Sequence, residues 1–206
     1  MDNSQLLIKV CGINRTKNMV DVSNLNIDML GINYYWESKR YIDNTSININ
    51  PNVKRVGVFV DPTLYELEQY TLQDELDYLQ LHSDVTPDFC QQAQEIAPVI
   101  KAFGVDQEFD FATVMPYSSC EYFLFDTKTI LHGGSGEQFD WSKLDEYEGE
   151  VPFLLAGGIG PDDVEKIKAI QHPKFAGVDI NSRFEHEPGV KNVRLVEEFI
   201  NQIKNN

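Results

Sequence analysis

The sequence predicts an α/β protein, a single (β/α)8 barrel spanning residues 1–206, and three observations lead there. Eight short runs rich in Val, Ile, Leu and Phe end near Val10, Ile32, Val60, Leu81, Phe103, Phe125, Leu155 and Ile180. They recur every 20–30 residues or so, roughly the length of one strand plus one helix. The runs are continuously apolar rather than alternating, which suits parallel strands covered on both faces. Eight such units close naturally into a barrel, whereas an open doubly wound sheet needs fewer strands or a reversal in strand order.

The elements follow in order. The first run carries Lys9-Val10-Cys11-Gly12, and the second ends before Asn33-Tyr34. Between Tyr41 and Lys54 the chain is rich in Asn, Ser and Thr, which prefer turns and caps, and Pro51 stops any helix. The second helix is therefore expected to be short or missing. Asp61 follows the third run and His82 the fourth. Thr86-Pro87-Asp88 is a cap, a first-turn proline and an acid, with Phe89, Ala93 and Ile96 behind it at helical spacing. Gly104 follows the fifth run and Asp126 the sixth; Ala156-Gly157 follow the seventh and Asn181 the eighth. Pro161-Asp162-Asp163 opens another helix with Val164, Ile167 and Ile170 as its stripe. The last helix shows Val193, Val196, Phe199, Ile200 and Ile203 on one face.

Composition narrows the function. A net charge of −16 argues against nucleic acid and anionic membranes as partners. No apolar run approaches the ~20 residues that span a bilayer, and the N-terminus lacks a signal pattern, so a cytoplasmic location is expected. Cys11, Cys90 and Cys120 are widely spaced, and the four histidines lack metal-ligand spacing. Neither a disulfide framework, nor a metal, nor a cofactor is expected. Cys90 and Cys120 read as structural.

Three segments near the end of the chain suit a phosphate: Gly133-Gly134-Ser135-Gly136, Ala156-Gly157-Gly158-Ile159 and Val178-Asp179-Ile180-Asn181-Ser182. Glycine lets backbone N–H groups approach an anion, and helix starts add unpaired donors. Gly134, Ser135, Gly136, Gly157, Gly158, Asn181 and Ser182 are the candidates. At the same strand ends a thiol (Cys11) and carboxyl groups (Asp126, with Asp179 inside the last strand) face one pocket, which suggests proton transfer on a phosphorylated sugar. Taken alone, a cysteine such as Cys11 is more often a small buried hydrophobe, and an acid such as Asp126 more often a loop or cap residue.

The chain resembles the phosphoribosylanthranilate isomerase family. The resemblance is carried by Lys9-Val10-Cys11-Gly12-Ile13, Ser38-Lys39-Arg40-Tyr41, Leu79-Gln80-Leu81-His82 and Phe123-Leu124-Phe125-Asp126. It continues through Gly133-Gly134-Ser135-Gly136-Glu137-Gln138-Phe139-Asp140-Trp141, Ala156-Gly157-Gly158-Ile159 and Gly177-Val178-Asp179-Ile180-Asn181-Ser182. It implies an Amadori rearrangement in tryptophan biosynthesis, with Cys11 as general base, Asp126 as general acid and Arg40 on the anthranilate carboxylate. His82 and Asp179 would line the substrate pocket; for Tyr34, Tyr35 and Trp36, packing in the core or a loop is as good a reading as flanking the anthranilate ring. Such chemistry needs Asp126 protonated near neutrality, which Phe123, Leu124 and Phe125 would favour by desolvation and Asp179 by repulsion. The chain departs from the family pattern at Arg183 and Ser83, where glycine is usual, and at Trp36, where proline is usual. Rival readings are a noncatalytic phosphate-binding barrel acting as sensor or scaffold, and another phosphosugar isomerase or epimerase. Monomer and homodimer both remain open.

Overall fold

A computed structural model describes residues 5–42, 48–128 and 138–204. Eight parallel strands close into a barrel in chain order: β1 (Leu7–Cys11), β2 (Met29–Asn33), β3 (Lys54–Phe59), β4 (Tyr78–Leu81), β5 (Val99–Val105), β6 (Tyr122–Thr127), β7 (Phe153–Leu155) and β8 (Phe175–Ile180). The seam pairs Lys9 with Asp179 and Val10 with Ile180. Because side chains alternate across a strand, each β-strand feeds two cores. Met29, Val56, Ile100, Ala102, Leu124, Leu154 and Ala156 fill the bore. The opposite faces pack outward, where Phe103, Phe123, Phe125, Phe153 and Tyr147 form a continuous aromatic cluster against the covering elements. Fully burying each such ring contributes about 1.5–3 kcal/mol.

The covering elements are α1 (Thr16–Ser23), α2 (Leu64–Asp74), α3 (Pro87–Gln94), α4 (Val164–Lys168) and α5 (Val193–Lys204). Local chemistry sets their starts. Thr63 and Glu66 form a reciprocal capping box on α2: the Glu66 amide donates to Thr63 Oγ1 and the Thr63 amide to Glu66 Oε2. Thr86 caps α3 ahead of Pro87. The expected stripe of α5 is buried at Val196, Phe199, Ile200 and Ile203. No helix among the described residues is long and apolar enough to cross a membrane.

Between β2 and β3 the described residues form no helix. The units after β5 and β6 depart from a plain strand–helix repeat: they carry 3-10 turns, Phe111–Tyr117 with Pro116 inside it, and Trp141–Glu146. The helix opened by Pro161 starts as a 3-10 turn and ends at Lys168, so Ile170 lies beyond it, as Ile96 lies beyond α3. A small antiparallel hairpin, β9 (Glu185–Glu187) and β10 (Val190–Lys191), stands after β8.

Candidate active site

The C-terminal ends of the strands carry a connected set of charges inside the bore. Lys9 and Cys11 alternate with Val10 on β1 and so share one face. Lys9 has no exposed surface, and its Nζ donates to Asp179 Oδ2 at 2.7 Å across the β1–β8 seam. The ammonium and the Cys11 side chain also interact electrostatically. Burial alone would push Lys9 down, but Asp179 and Cys11 outweigh it and raise its pKa. Burial pushes the Cys11 thiol up, opposed by Lys9 and Lys191. Asp179 is likewise raised by burial against the pull of Lys9. Its Oδ1 is buried with no hydrogen-bond partner among the described residues, an acceptor aimed into the site.

Asp126, on β6, completes the group. Burial, then the Asp179 charge, push its carboxyl up to about 6, against the pull of the Thr127 backbone N–H and the Lys9 charge. The sequence expected desolvation and repulsion from Asp179, and both act. His82, directly after β4, places Nε2 3.6 Å from Asp126 Oδ2. That is an electrostatic contact, longer than a hydrogen bond. Gly157 seats Asp126 from below: it has φ +87°, and a Cβ there would lie 2.2 Å from Thr127 Oγ1 and 2.9 Å from Asp126 Oδ1. Only glycine allows both the backbone angle and the approach.

Arg40 lies in the loop after β2. Its stem crosses Gly12, where a Cβ would stand 2.5 Å from Arg40 Cδ. The guanidinium is paired with Glu185 through Nε at 2.9 Å and Nη2 at 2.7 Å. Lys191, fully buried, donates to Glu185 Oε1 at 2.6 Å and Asn181 Oδ1 at 2.7 Å. Burial would raise Glu185, yet Arg40 and Lys191 hold it below its ordinary value.

Among the phosphate candidates, Gly157 and Gly158 follow β7 with left-handed backbones, and Asn181 with Ser182 follows β8. Gln138 ties this region together, donating to Gly158 O and Asp163 Oδ2. Arg183 reaches the same loops, with Nε 2.9 Å from where a Cβ on Gly160 would stand. Gly134, Ser135 and Gly136 lie outside the described residues. Ser83 is buried and its hydroxyl accepts from the Asp61 amide at 2.9 Å.

Tyr34 belongs to the core rather than to the pocket. It stacks on Phe59 and Tyr70 and donates to Asp74 at 2.6 Å. Trp36 is 74% exposed. A separate cavity of 430 Å³, lined by Met115, Cys120, Phe123, Tyr147, Val151 and Pro152, opens where β6 and β7 start and contains none of the site candidates.

Lys9, Glu185 and Lys191 were not among the residues that sequence reasoning assigned a role. For Lys9 a signal existed: one charge inside Leu-Ile-Lys-Val-Cys, two residues before the thiol, on the same strand face.

The model of the family described as N-(5'phosphoribosyl)anthranilate (PRA) isomerase matches residues 8–202. A protein of Parabacteroides distasonis named N-(5'-phosphoribosyl)anthranilate isomerase is 41% identical, over 96% of this chain and 93% of its own. The crystal structure of phosphoribosyl anthranilate isomerase from Thermotoga maritima aligns with a TM-score of 0.85 and 32% identity, covering 98% of this chain and 100% of that one. A further phosphoribosyl anthranilate isomerase structure aligns at TM-score 0.82 and 28% identity over 98% of this chain and 100% of its own. It is described as a complex with reduced 1-(o-carboxyphenylamino)-1-deoxyribulose 5-phosphate.

Proposed function

The chain belongs to the N-(5'-phosphoribosyl)anthranilate isomerase family, and we propose that Cys11 and Asp126 carry the protons of its reaction. The protein is an aldose–ketose isomerase of tryptophan biosynthesis: it converts N-(5'-phosphoribosyl)anthranilate to 1-(2-carboxyphenylamino)-1-deoxyribulose 5-phosphate. We read the whole chain as one cytoplasmic catalytic domain.

Asp126, in its protonated form, donates to the ribose ring oxygen as the C1'–O bond breaks, and the anthranilate nitrogen supplies electrons for a C1'=N iminium. Cys11, as thiolate, removes the C2' proton, and its electron pair becomes the C1'=C2' bond of an enolamine. Proton return to C1' and loss of the C2' hydroxyl proton give the ketone, so the atoms balance without a cofactor. The two groups need opposite shifts from ordinary behaviour: an acid protonated near neutrality and a thiol ionised well below about 8.5. The carboxyl meets its need by burial beside Asp179. Burial and the Asp179 charge hold the thiol up in the free protein; the Lys9 and Lys191 cations pull the other way, and the iminium, once formed, adds to their pull.

Arg40 binds the anthranilate carboxylate, Asp179 Oδ1 accepts from a sugar hydroxyl, and His82 lines the pocket beside Asp126. Main-chain groups of Gly134, Ser135, Gly136, Gly157, Gly158, Asn181 and Ser182 hold the phosphate.

The observation that supports this reading is the buried electrostatic path from Cys11 through Lys9 and Asp179 to Asp126. Mixing the protein with phosphoribosylanthranilate and following loss of anthranilate fluorescence tests it. Turnover in the native protein, with binding but no turnover in Cys11→Ala and Asp126→Asn, is expected. Native rates in either variant would remove its assigned role; binding by the native protein without fluorescence change would point to a sensor.

A further inference from the structure

Glu185 is crowded with donors in a way that the proton transfers do not require. Its carboxylate accepts from Arg40 Nε and Nη2, from Lys191 Nζ at 2.6 Å and from the Gly189 amide at 3.1 Å. Arg40 and Glu185 are 145 residues apart, so this pair ties the β2 loop to the hairpin after β8. The hairpin is itself anchored. The Asn14 amide donates to Gly189 O at 3.0 Å, while the Asn18 side chain accepts from the Lys191 amide at 2.7 Å and donates to Lys191 O at 2.9 Å.

Lys191 has no exposed surface, and a buried ammonium is unfavourable unless paired. Its charged partner is the carboxylate that grips Arg40. A guanidinium presents two forks to carboxylates. Glu185 spans the Nε–Nη2 fork, so the Nη1–Nη2 end is the one a ligand carboxylate meets. A long arginine side chain loses much rotamer freedom on binding, and a pre-formed pair removes that loss from the binding step.

We infer that Glu185, braced by Lys191, is a positioning residue that aims Arg40 at the carboxylate of the substrate's aromatic ring. The inference rests on the reading that Arg40 meets that carboxylate, and two substrates separate the two claims. One is phosphoribosylanthranilate; the other is the same adduct built on aniline, which lacks the carboxylate. KM and kcat are measured separately for both in the native protein, Arg40→Ala, Glu185→Ala, Glu185→Gln and the Arg40→Ala/Glu185→Ala double variant, with thermal melts alongside.

Arg40→Ala should raise KM for the anthranilate substrate about 100-fold and leave the aniline substrate within about threefold. Glu185→Ala should show the same selectivity at about 10- to 30-fold, with kcat within about threefold. Glu185→Gln, which still accepts one Arg40 bond but has lost the charge, should show a smaller rise of the same selectivity, about fivefold, and the double variant should be no worse than Arg40→Ala. Equal losses on both substrates in Glu185→Ala, or additive losses in the double variant, would overturn the positioning role while leaving Arg40 in place. Should Glu185→Ala fail to fold, the isosteric Glu185→Gln decides: no carboxylate-selective rise in KM sinks the inference. An Arg40→Ala variant without selectivity would instead remove the reading beneath it.

Discussion

Lys9 and Lys101 stand in nearly the same sequence, Leu-Ile-Lys-Val and Val-Ile-Lys-Ala, inside buried strands, and they end in opposite worlds. Lys9 points into the bore from β1, pairs with Asp179 at 2.7 Å and acts electrostatically on Cys11. Lys101 points outward from β5: its Nζ donates to Ala102 O at 2.6 Å and lies 4.5 Å from the centre of the Phe103 ring. Among the described residues no carboxylate forms an ion pair with it, and burial lowers its pKa where that of Lys9 is raised. One position along a strand exchanges the two faces of the sheet. A buried lysine is therefore an electrostatic tool of the site or a packing element of the shell according to strand face, not local sequence.

The largest effects should come from the bore. Cys11→Ala and Asp126→Asn should each lower kcat about 10²- to 10⁴-fold in the fluorescence assay. Asp126 also carries a stability signature. Its folded pKa of about 6 lies above the ordinary 3.8, so folding loses stability as pH rises from 3.8 to 6 and stays lower above that. Asp126→Asn should thus be more stable at pH 7, by about 2–3 kcal/mol in denaturant titrations, though almost inactive. An inactive variant with unchanged stability would break the claim that this carboxyl is held under strain of desolvation.

Next comes Lys9→Met, which should lower kcat/KM about 100-fold and move the alkaline limb of the pH profile upward, because Cys11 loses its nearest cation. In the native profile kcat/KM should fall below a pH of about 6, where Asp126 and Cys11 are both protonated and no base remains. If Lys101→Met reproduced the Lys9→Met profile, the contrast between the two faces would fail.

Smaller is Gly157→Ala. Its left-handed backbone and the contacts on Thr127 and Asp126 should cost about 1–3 kcal/mol of stability, lower kcat and raise KM together. Smallest is Lys101→Met, expected to raise stability about 1 kcal/mol, roughly 2–4 °C in a thermal melt, with kcat unchanged.

The barrel was legible because buried parallel strands write continuous apolar runs, and each run ended near an observed strand end. Cys11 and Asp126 could be proposed as reacting groups because such groups stand at those ends in barrels of this kind. Less legible were the 3-10 turns after β5 and β6, where Pro116 and short polar segments leave the helix period undefined. The β9–β10 hairpin was not anticipated, since strands of three and two residues are too short to show alternation. Lys9, Glu185 and Lys191 gain meaning only from partners far along the chain, Asp179 and Arg40, and pairing over such separations leaves no local periodic trace.

Lys9 and Asp179 meet across 170 residues, at the seam that joins the first strand to the last. During synthesis the ammonium emerges long before its counter-charge, and a half-built barrel that collapsed around it would enclose an uncompensated ion. Early compaction of partial barrels is thereby disfavoured, and arrival of the eighth strand both neutralises the interior and completes the proposed proton-transfer apparatus. Ring closure and the onset of chemistry become one event, so catalytic competence itself reports that the last strand has docked.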